Sequence, residues 1–344
     1  MSSKNKKYPS QILLLSVLLI CTSIDSRAST SSEKLDKCYL KRLKAAGDTV
    51  PVIEIKKRCQ VSIQQNVSDK NSLISPLDKR LHIEKETQNI PNVITAHMLN
   101  YMLPVTYMTN PNADLGNLLL DQNAKLDRTE AKFQISFKAP LTQNIFNQQD
   151  AVYFAFTLQS YWQMYNKNIS SPFRETNYQP EIFYWYENDL KWGDWSNRVI
   201  MIGFQHQSNG RSQPLSRSWN RFFANFVWEK DSWVLSFKPW YRLPESKKDD
   251  PLQAKGDDNP DIEKFMGNFE FRSIYKWDEQ TFSLMFRNNL RSNNKGAVEL
   301  GWTFPMGKRF KGYAQFFSGY GESLIDYNHN INRFGIGIVL TDYF

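Results

Sequence analysis

Residues 331–344 read INRFGIGIVLTDYF, and their alternation decides the fold. Phe334, Ile336, Ile338 and Leu340 fall on one face, and Arg333, Gly335, Gly337 and Thr341 on the other. Successive side chains of a β-strand point to opposite faces, so this segment is a strand with one large apolar face and one small or polar face. A sandwich would bury the apolar face between two sheets. A barrel in lipid turns it outward and keeps small and polar groups in the lumen.

The connections between similar segments choose between the two. From about residue 93 onward the chain carries twelve aromatic-rich alternating stretches, at about 94–107, 130–141, 151–164, 177–187, 197–207, 217–228, 231–242, 262–276, 279–290, 295–305, 308–320 and 331–344. The connections near 109–129, 165–176, 208–216, 243–261 and 321–330 are long, and those near 188–196, 229–230, 277–278 and 306–307 are shorter. Long loops at one end and tight turns at the other form the pattern of an outer-membrane barrel. The terminal Phe344 is the usual mark of such a barrel's last strand. The expected fold is all-β: a 12-stranded antiparallel transmembrane β-barrel, with both termini in the periplasm and the long loops outside.

The N-terminal sequence fits export. Lys4, Lys6 and Lys7 precede an apolar run from Ile12 to Cys21, and the small-residue site Ser26-Arg27-Ala28 follows. This is the layout of a secretory signal, with cleavage expected after Ala28. The run is half the roughly 20 residues that a spanning helix needs, and Ile20 stands where a lipoprotein signal carries a small residue. Residues 29–92 are rich in Lys, Ser, Asp and Gln and read as a periplasmic extension or plug with a short helix near Leu40. Within them, Cys38 and Cys59 lie in a compartment that permits disulfides and are expected to pair. Loss of residues 1–28 removes four basic residues and one acidic residue, so a net charge of +8 becomes +5. Such a mild, scattered excess on an exported chain argues against a nucleic-acid partner and suits anionic lipid or lipopolysaccharide.

Strand parity also exposes a candidate site. In the fifth stretch Ile200, Ile202 and Phe204 face lipid, and the same face continues to His206 and Ser208. In the sixth, Phe222, Ala224, Phe226 and Trp228 are followed on their face by Asn220 and Ser218 toward the extracellular end. Polar groups on the outer wall are costly unless they sit at the interface or carry function. Interfacial polarity alone would explain them. A hydrolase, however, needs a nucleophile, a base and a group that orients the base, and all three types occur at one height. There is no Gly-x-Ser-x-Gly elbow, which excludes an α/β-hydrolase as the source of the site.

Several longer motifs carry a resemblance: Ser170-Ser171-Pro172-Phe173-Arg174-Glu175-Thr176-Asn177-Tyr178, His206-Gln207-Ser208-Asn209-Gly210-Arg211-Ser212, Ser216-Arg217-Ser218-Trp219-Asn220-Arg221, Lys238-Pro239-Trp240-Tyr241, Asp257-Asp258-Asn259-Pro260-Asp261 and Gly319-Tyr320-Gly321-Glu322-Ser323. In this order the chain resembles, over roughly residues 94–344, the outer membrane phospholipase A of Gram-negative bacteria. The resemblance implies a phospholipid substrate, with hydrolysis of sn-1 and sn-2 acyl esters and of lysophospholipids. It implies Ser208 as nucleophile, His206 as general base and Asn220 as the group orienting the imidazole. It further implies a calcium ion held by the Ser216 side chain and the Arg211 carbonyl, with the Ser170 carbonyl coming from the second subunit of a reversible homodimer. Asp258 matches a ligand of a weaker calcium site, but Gln213 stands where the family has an aspartate. Leu158 takes the place of a glutamine at the family's dimer contact.

The Asp257–Asp261 run is not an EF-hand, because its sixth position lacks glycine and the run is too short. Trp162, Tyr184, Trp185, Tyr186 and Trp240 read as interface-belt aromatics. His82, His97 and His329 have no carboxylate or cysteine at metal spacing and receive no role. The competing readings are a passive barrel, such as a small porin or adhesin, and a soluble secreted lipase.

Overall fold

A computed structural model describes residues 38–41, 59, 75–88, 90, 93–112, 125–250, 252–307 and 310–344. The expected signal segment lies outside the described residues. The chain divides into two compact units, Met1–Leu73 and Ile74–Phe344. In the first, residues 38–41 are helical and a disulfide joins Cys38 to Cys59 with a Cα–Cα separation of 6.0 Å.

The second unit holds a helix, α1 (Pro76–Thr87), a two-residue strand, β1 (Thr95–Ala96), and twelve long strands. These are β2 (Asn100–Met108), β3 (Thr129–Gln143), β4 (Asp150–Trp162), β5 (Phe173–Trp192), β6 (Trp195–Ser208), β7 (Ser218–Lys230), β8 (Trp233–Arg242), β9 (Phe269–Trp277), β10 (Gln280–Asn288), β11 (Gly296–Met306), β12 (Phe310–Gly319) and β13 (Ile331–Thr341). Each pairs antiparallel with the next, β13 pairs with β2, and β3 pairs with both β2 and β4, which closes the barrel. No backbone edge is then left unpaired to face hydrocarbon. The connections 144–149, 193–194, 231–232 and 278–279 are tight and lie at one end, while 163–172, 209–217, 243–268 and 320–330 are long and lie at the other.

Alternation sorts the side chains as expected. Ile182, Ile202, Phe222, Phe334, Ile336 and Leu340 are exposed on the outer wall, and Phe183, Val199, Met201, Phe223 and Arg333 are buried inside. Thr341 departs from this parity and is exposed, because a register shift separates it from Val339. Trp185 and Trp240 also depart from the sequence reading: they are buried in the lumen, not set in an interfacial belt. On β5, Tyr184 and Tyr186 point outward, so the residue between them must point in.

The lumen is filled in two layers. Near the tight turns, α1 inserts Leu77 and Leu81 among Phe183, Trp185, Val199, Met201 and Phe223. Ser75 Oγ caps the helix by accepting from Asp78 N at 3.1 Å. Lys138 pairs with Glu84 at 2.7 Å, and Arg80 donates to the Tyr343 carbonyl at 2.7 Å. The sequence reading grouped residues 76–87 with the N-terminal extension. Here they belong to the compact unit that contains the barrel.

Nearer the long loops, the lumen holds a buried ion network. Arg174 pairs with Glu130 at 3.0 Å and also with Asp326; Arg333 reaches Glu130 at 2.9 Å and Glu322 at 2.8 Å; Lys132 reaches Glu322 at 3.0 Å. Glu322 and Asp326 belong to the 320–330 connection, which the loop-length argument placed outside. Residues 321–327 are instead buried, with Tyr161 Oη donating to the Glu322 carbonyl at 2.6 Å and Leu324 N donating to Asn177 Oδ1 at 3.0 Å. Removing one member of a buried ion cluster leaves uncompensated charge, at a cost of about 3–5 kcal/mol. Glu322→Ala is therefore expected to lower the unfolding temperature of the detergent-solubilised barrel markedly, followed by the shift of the heat-modifiable band on a gel. An unchanged melting profile would remove this network from the barrel's stabilising interactions.

Candidate active site

The register of β6 and β7 brings the three candidate residues together. His206 lies opposite Asn220, Ser208 opposite Ser218, and Phe204 opposite Phe222, while Tyr178 of β5 lies opposite Ser208 on the other side. His206 Nδ1 and Asn220 Oδ1 are 2.8 Å apart. With the amide oxygen, which can only accept, turned to the ring, Nδ1 carries the proton and Nε2 presents its lone pair. Ser208 follows on the same face two residues along, about 7 Å away at the strand rise of 3.4 Å. Among the described residues no hydrogen bond joins Ser208 to His206. Such contacts commonly tighten only when substrate is bound.

Packing from inside fixes this patch. Trp219 is fully buried, donates through Nε1 to Gln207 Oε1 at 2.8 Å, and has the Arg221 guanidinium 3.8 Å from its ring centre. At the strand end, buried Asn209 braces the 209–217 loop: it accepts from Arg217 N at 3.0 Å and donates to the Leu215 carbonyl at 2.9 Å. Gly210 follows at φ +64°, and a Cβ there would meet the Tyr178 ring at 3.3 Å. Glycine adopts that conformation at the least steric cost.

The candidate calcium ligands lie along the same rim. Arg211 donates to the Phe173 carbonyl at 3.1 Å and the Arg174 carbonyl at 2.6 Å, which ties the 209–217 loop to the segment carrying Ser170. Ser170 itself sits in a left-handed turn at φ 56°. Among the described residues no donor engages the carbonyl oxygen of Ser170 or of Arg211. Ser216 Oγ donates to Asp258 Oδ2 at 2.6 Å, which leaves its lone pairs available. A set of neutral oxygens of this kind suits a hard cation such as calcium. No cluster of three or more His, Cys, Asp or Glu side chains is available to a metal among the described residues. Asp258 is engaged elsewhere: its Oδ1 accepts from Gln213 Nε2 at 2.6 Å and pairs with Lys248 Nζ.

Four contacts are out of reach of the sequence reading. Asn220 Nδ2 donates to Glu245 Oε1 at 3.3 Å, from the loop after β8. That loop docks on the site through Leu243 N to the Asn220 carbonyl at 2.8 Å and through Ser218 N to Asn259 Oδ1 at 3.1 Å. His97, which received no role, meets Glu181 at 2.9 Å in the lumen, 84 residues away in sequence. No local pattern signals such contacts.

A family model described as phospholipase A1 matches residues 77–340, three-quarters of the chain. The chain belongs to the phospholipase A1 family. It is 40% identical to the phospholipase A1 of Klebsiella pneumoniae over 223 residues, 65% of this chain and 73% of that protein. Among solved structures it is similar to the outer membrane phospholipase A of Escherichia coli, with a TM-score of 0.67, 36% identity and coverage of 73% of this chain and all of that one. That relative has also been solved as an asparagine-to-alanine active-site mutant. It is likewise similar to the Salmonella typhi outer membrane phospholipase dimer with bound calcium, with a TM-score of 0.69, 35% identity and coverage of 76% and 98%. The protein is thus a phospholipase and an outer-membrane β-barrel. The passive-barrel and soluble-lipase readings fall away.

The anchoring of Asp258 has a pH signature. Burial opposes its charge, but hydrogen bonds from Lys248, Ser216 and Gln213 outweigh burial and hold the carboxyl below the usual carboxylate range. A carboxyl depressed on folding stabilises the fold above its unfolded value and loses that contribution as pH falls through the folded one. The 243–261 loop should therefore resist limited proteolysis at pH 4 as it does at pH 7, and loosen below that. Asp258→Asn should loosen it at every pH. A loop that opens in step with an ordinary carboxylate would contradict this.

Proposed function

We propose that this phospholipase hydrolyses sn-1 and sn-2 acyl esters of phospholipids, and lysophospholipids, at a Ser208–His206–Asn220 site on the outer barrel wall. The observation that carries this reading is the 2.8 Å contact of His206 Nδ1 with Asn220 Oδ1, with Ser208 next on the same lipid-facing wall. Beside Ser208, Tyr178, and below it, Ile202 and Phe222, offer an exposed apolar surface for acyl chains. The ester of an outer-leaflet lipid then lies at the height of the polar rim.

In this reading His206 Nε2 takes the Ser208 proton as Oγ attacks the ester carbonyl carbon. The tetrahedral adduct collapses when the same imidazolium gives its proton to the departing glycerol oxygen, which leaves an acyl-serine and a lysophospholipid. Water, deprotonated by His206, then attacks the acyl-serine, releases the fatty acid and returns the proton to Ser208. Asn220 accepts from Nδ1–H throughout and keeps the imidazole in one tautomer without placing a charge beside lipid.

Ser216 Oγ and the Arg211 carbonyl, with a Ser170 carbonyl from a second copy, would hold calcium. When bound, the ion supplies positive potential where negative charge develops on the ester oxygen. A reversible homodimer follows, because the ligand set is incomplete in one chain. Leu158, outward on β4 where the family resemblance implies a glutamine, would weaken that dimer without forbidding it, since a hydrogen bond between membrane-embedded segments contributes only about 0.6–2 kcal/mol. Asp258 then serves as the anchor of Ser216 in preference to forming a second calcium site. We further propose that residues 1–28 are the export signal, residues 29–92 a periplasmic extension whose helix α1 enters the barrel lumen, and residues 93–344 the barrel wall.

Release of fatty acid from mixed micelles tests the reading. Ser208→Ala and His206→Ala should each abolish it to a similar depth, because nucleophile and base act as a unit, and Asn220→Ala should cost less. Activity within about tenfold of wild type in the Ser208 or His206 variant would overturn the assignment. Chelation should stop hydrolysis reversibly, at a cost on the order of 10²–10³ in rate, and Ser216→Ala should raise the calcium concentration needed for half-maximal rate. Full activity after chelation would remove calcium from the mechanism.

A further inference from the structure

Asn220 has two nearly isosteric ends, and only one of them is useful to the imidazole. With Oδ1 toward His206 Nδ1, the ring keeps Nε2 free to accept a proton. With Nδ2 in that place, the ring would be held in the opposite tautomer, with Nε2 already protonated. At an interface where water can satisfy either end, the contact with His206 alone does not choose between them.

We propose that Glu245 makes that choice: it is a positioning residue that takes the hydrogen bond of Asn220 Nδ2 at 3.3 Å and so fixes Oδ1 against His206. An ionised carboxylate has no hydrogen to donate, and a flipped amide would set its oxygen against that charge. The inference rests on the Ser208–His206–Asn220 reading. The loop that carries Glu245 is tied down on either side of it. Leu243 N donates to the Asn220 carbonyl at 2.8 Å, Asp257 N donates to the Ser246 carbonyl at 2.8 Å, and Lys248 pairs with Asp258. Glu245 is therefore held where it stands, not swept through the site by a mobile loop.

The charged groups around Glu245 are Arg242, Asp257, Asp258, Lys247, Lys248 and Arg217, with His206 beyond the amide. Burial, followed by Asp257, pushes the Glu245 carboxyl up.

Steady-state kinetics on calcium-loaded full-length protein in micelles test this with Glu245→Ala, Glu245→Gln and Asn220→Ala, singly and combined. Glu245→Ala should lower kcat about tenfold, the rate equivalent of one charge-assisted hydrogen bond, with KM unchanged. Glu245→Gln keeps an acceptor and loses the charge. It should recover most of kcat, with KM again unchanged. In the Asn220→Ala background, Glu245→Ala should have no further effect. A Glu245→Ala variant with wild-type kcat overturns the proposal, as does the same tenfold loss with or without Asn220, which would place the effect in loop folding. If Asn220→Ala is itself silent, the Ser208–His206–Asn220 reading is what fails.

Discussion

Hydrocarbon offers no hydrogen bond to a peptide group, and the rest of the molecule follows from that constraint. Each unpaired N–H or C=O in lipid costs several kcal/mol, so the twelve strands must close on themselves. β13 reaches back to β2 to do so. Closure gives every strand one face to lipid and one to the lumen. The outer face takes Ile202, Phe222, Ile336 and Leu340, and charge collects inside, where Glu130, Arg174, Glu322, Asp326 and Arg333 satisfy one another. The outer wall admits polar side chains only where lipid gives way to water. His206, Ser208 and Asn220 stand at that height, where a hydrolytic group can meet an ester without leaving the membrane.

That constraint also explains what could be read from sequence. Parity separates Phe334 from Arg333 and places Ser208, His206 and Asn220 on one wall, because a one-residue error would reverse every side chain. Tight turns and long loops have lengths that can be counted. Contacts that join distant segments leave no period to detect. Helix α1 buries only Leu77 and Leu81 on an otherwise polar sequence, so its apolar stripe is too sparse to read. The 320–330 connection looks like any other loop, yet its two carboxylates answer Lys132, Arg174 and Arg333 inside the barrel. Alternation along the aromatic run makes the inward Trp185 legible between the outward Tyr184 and Tyr186. For the site, residue types and wall came from sequence, and the proposed roles came from the resemblance. The pairing of Asn220 with Glu245 required the fold.

The rim shows how charge is distributed around a site that borders lipid. The imidazole is oriented by a neutral amide, and the carboxylates stand one step back. Glu245 lies behind Asn220, and Asp258 lies behind Ser216 with Lys248 paired to it. Asn220 and Ser216 are thus neutral groups, each held by a carboxylate behind it. Placing charge beyond the reacting groups limits the desolvation cost that a buried carboxylate would impose.

The central claim is that Ser208 on the outer wall becomes covalently acylated during hydrolysis. A long-chain alkyl sulfonyl fluoride, which sulfonylates an activated serine, tests it directly when the labelled full-length protein in calcium-containing micelles is digested and the peptides are mapped by mass spectrometry. The account predicts one adduct, on Ser208, formed in step with loss of activity and absent from His206→Ala. Inactivation with the adduct on Ser216, Ser218 or another residue, or labelling of Ser208 that leaves hydrolysis intact, would contradict it.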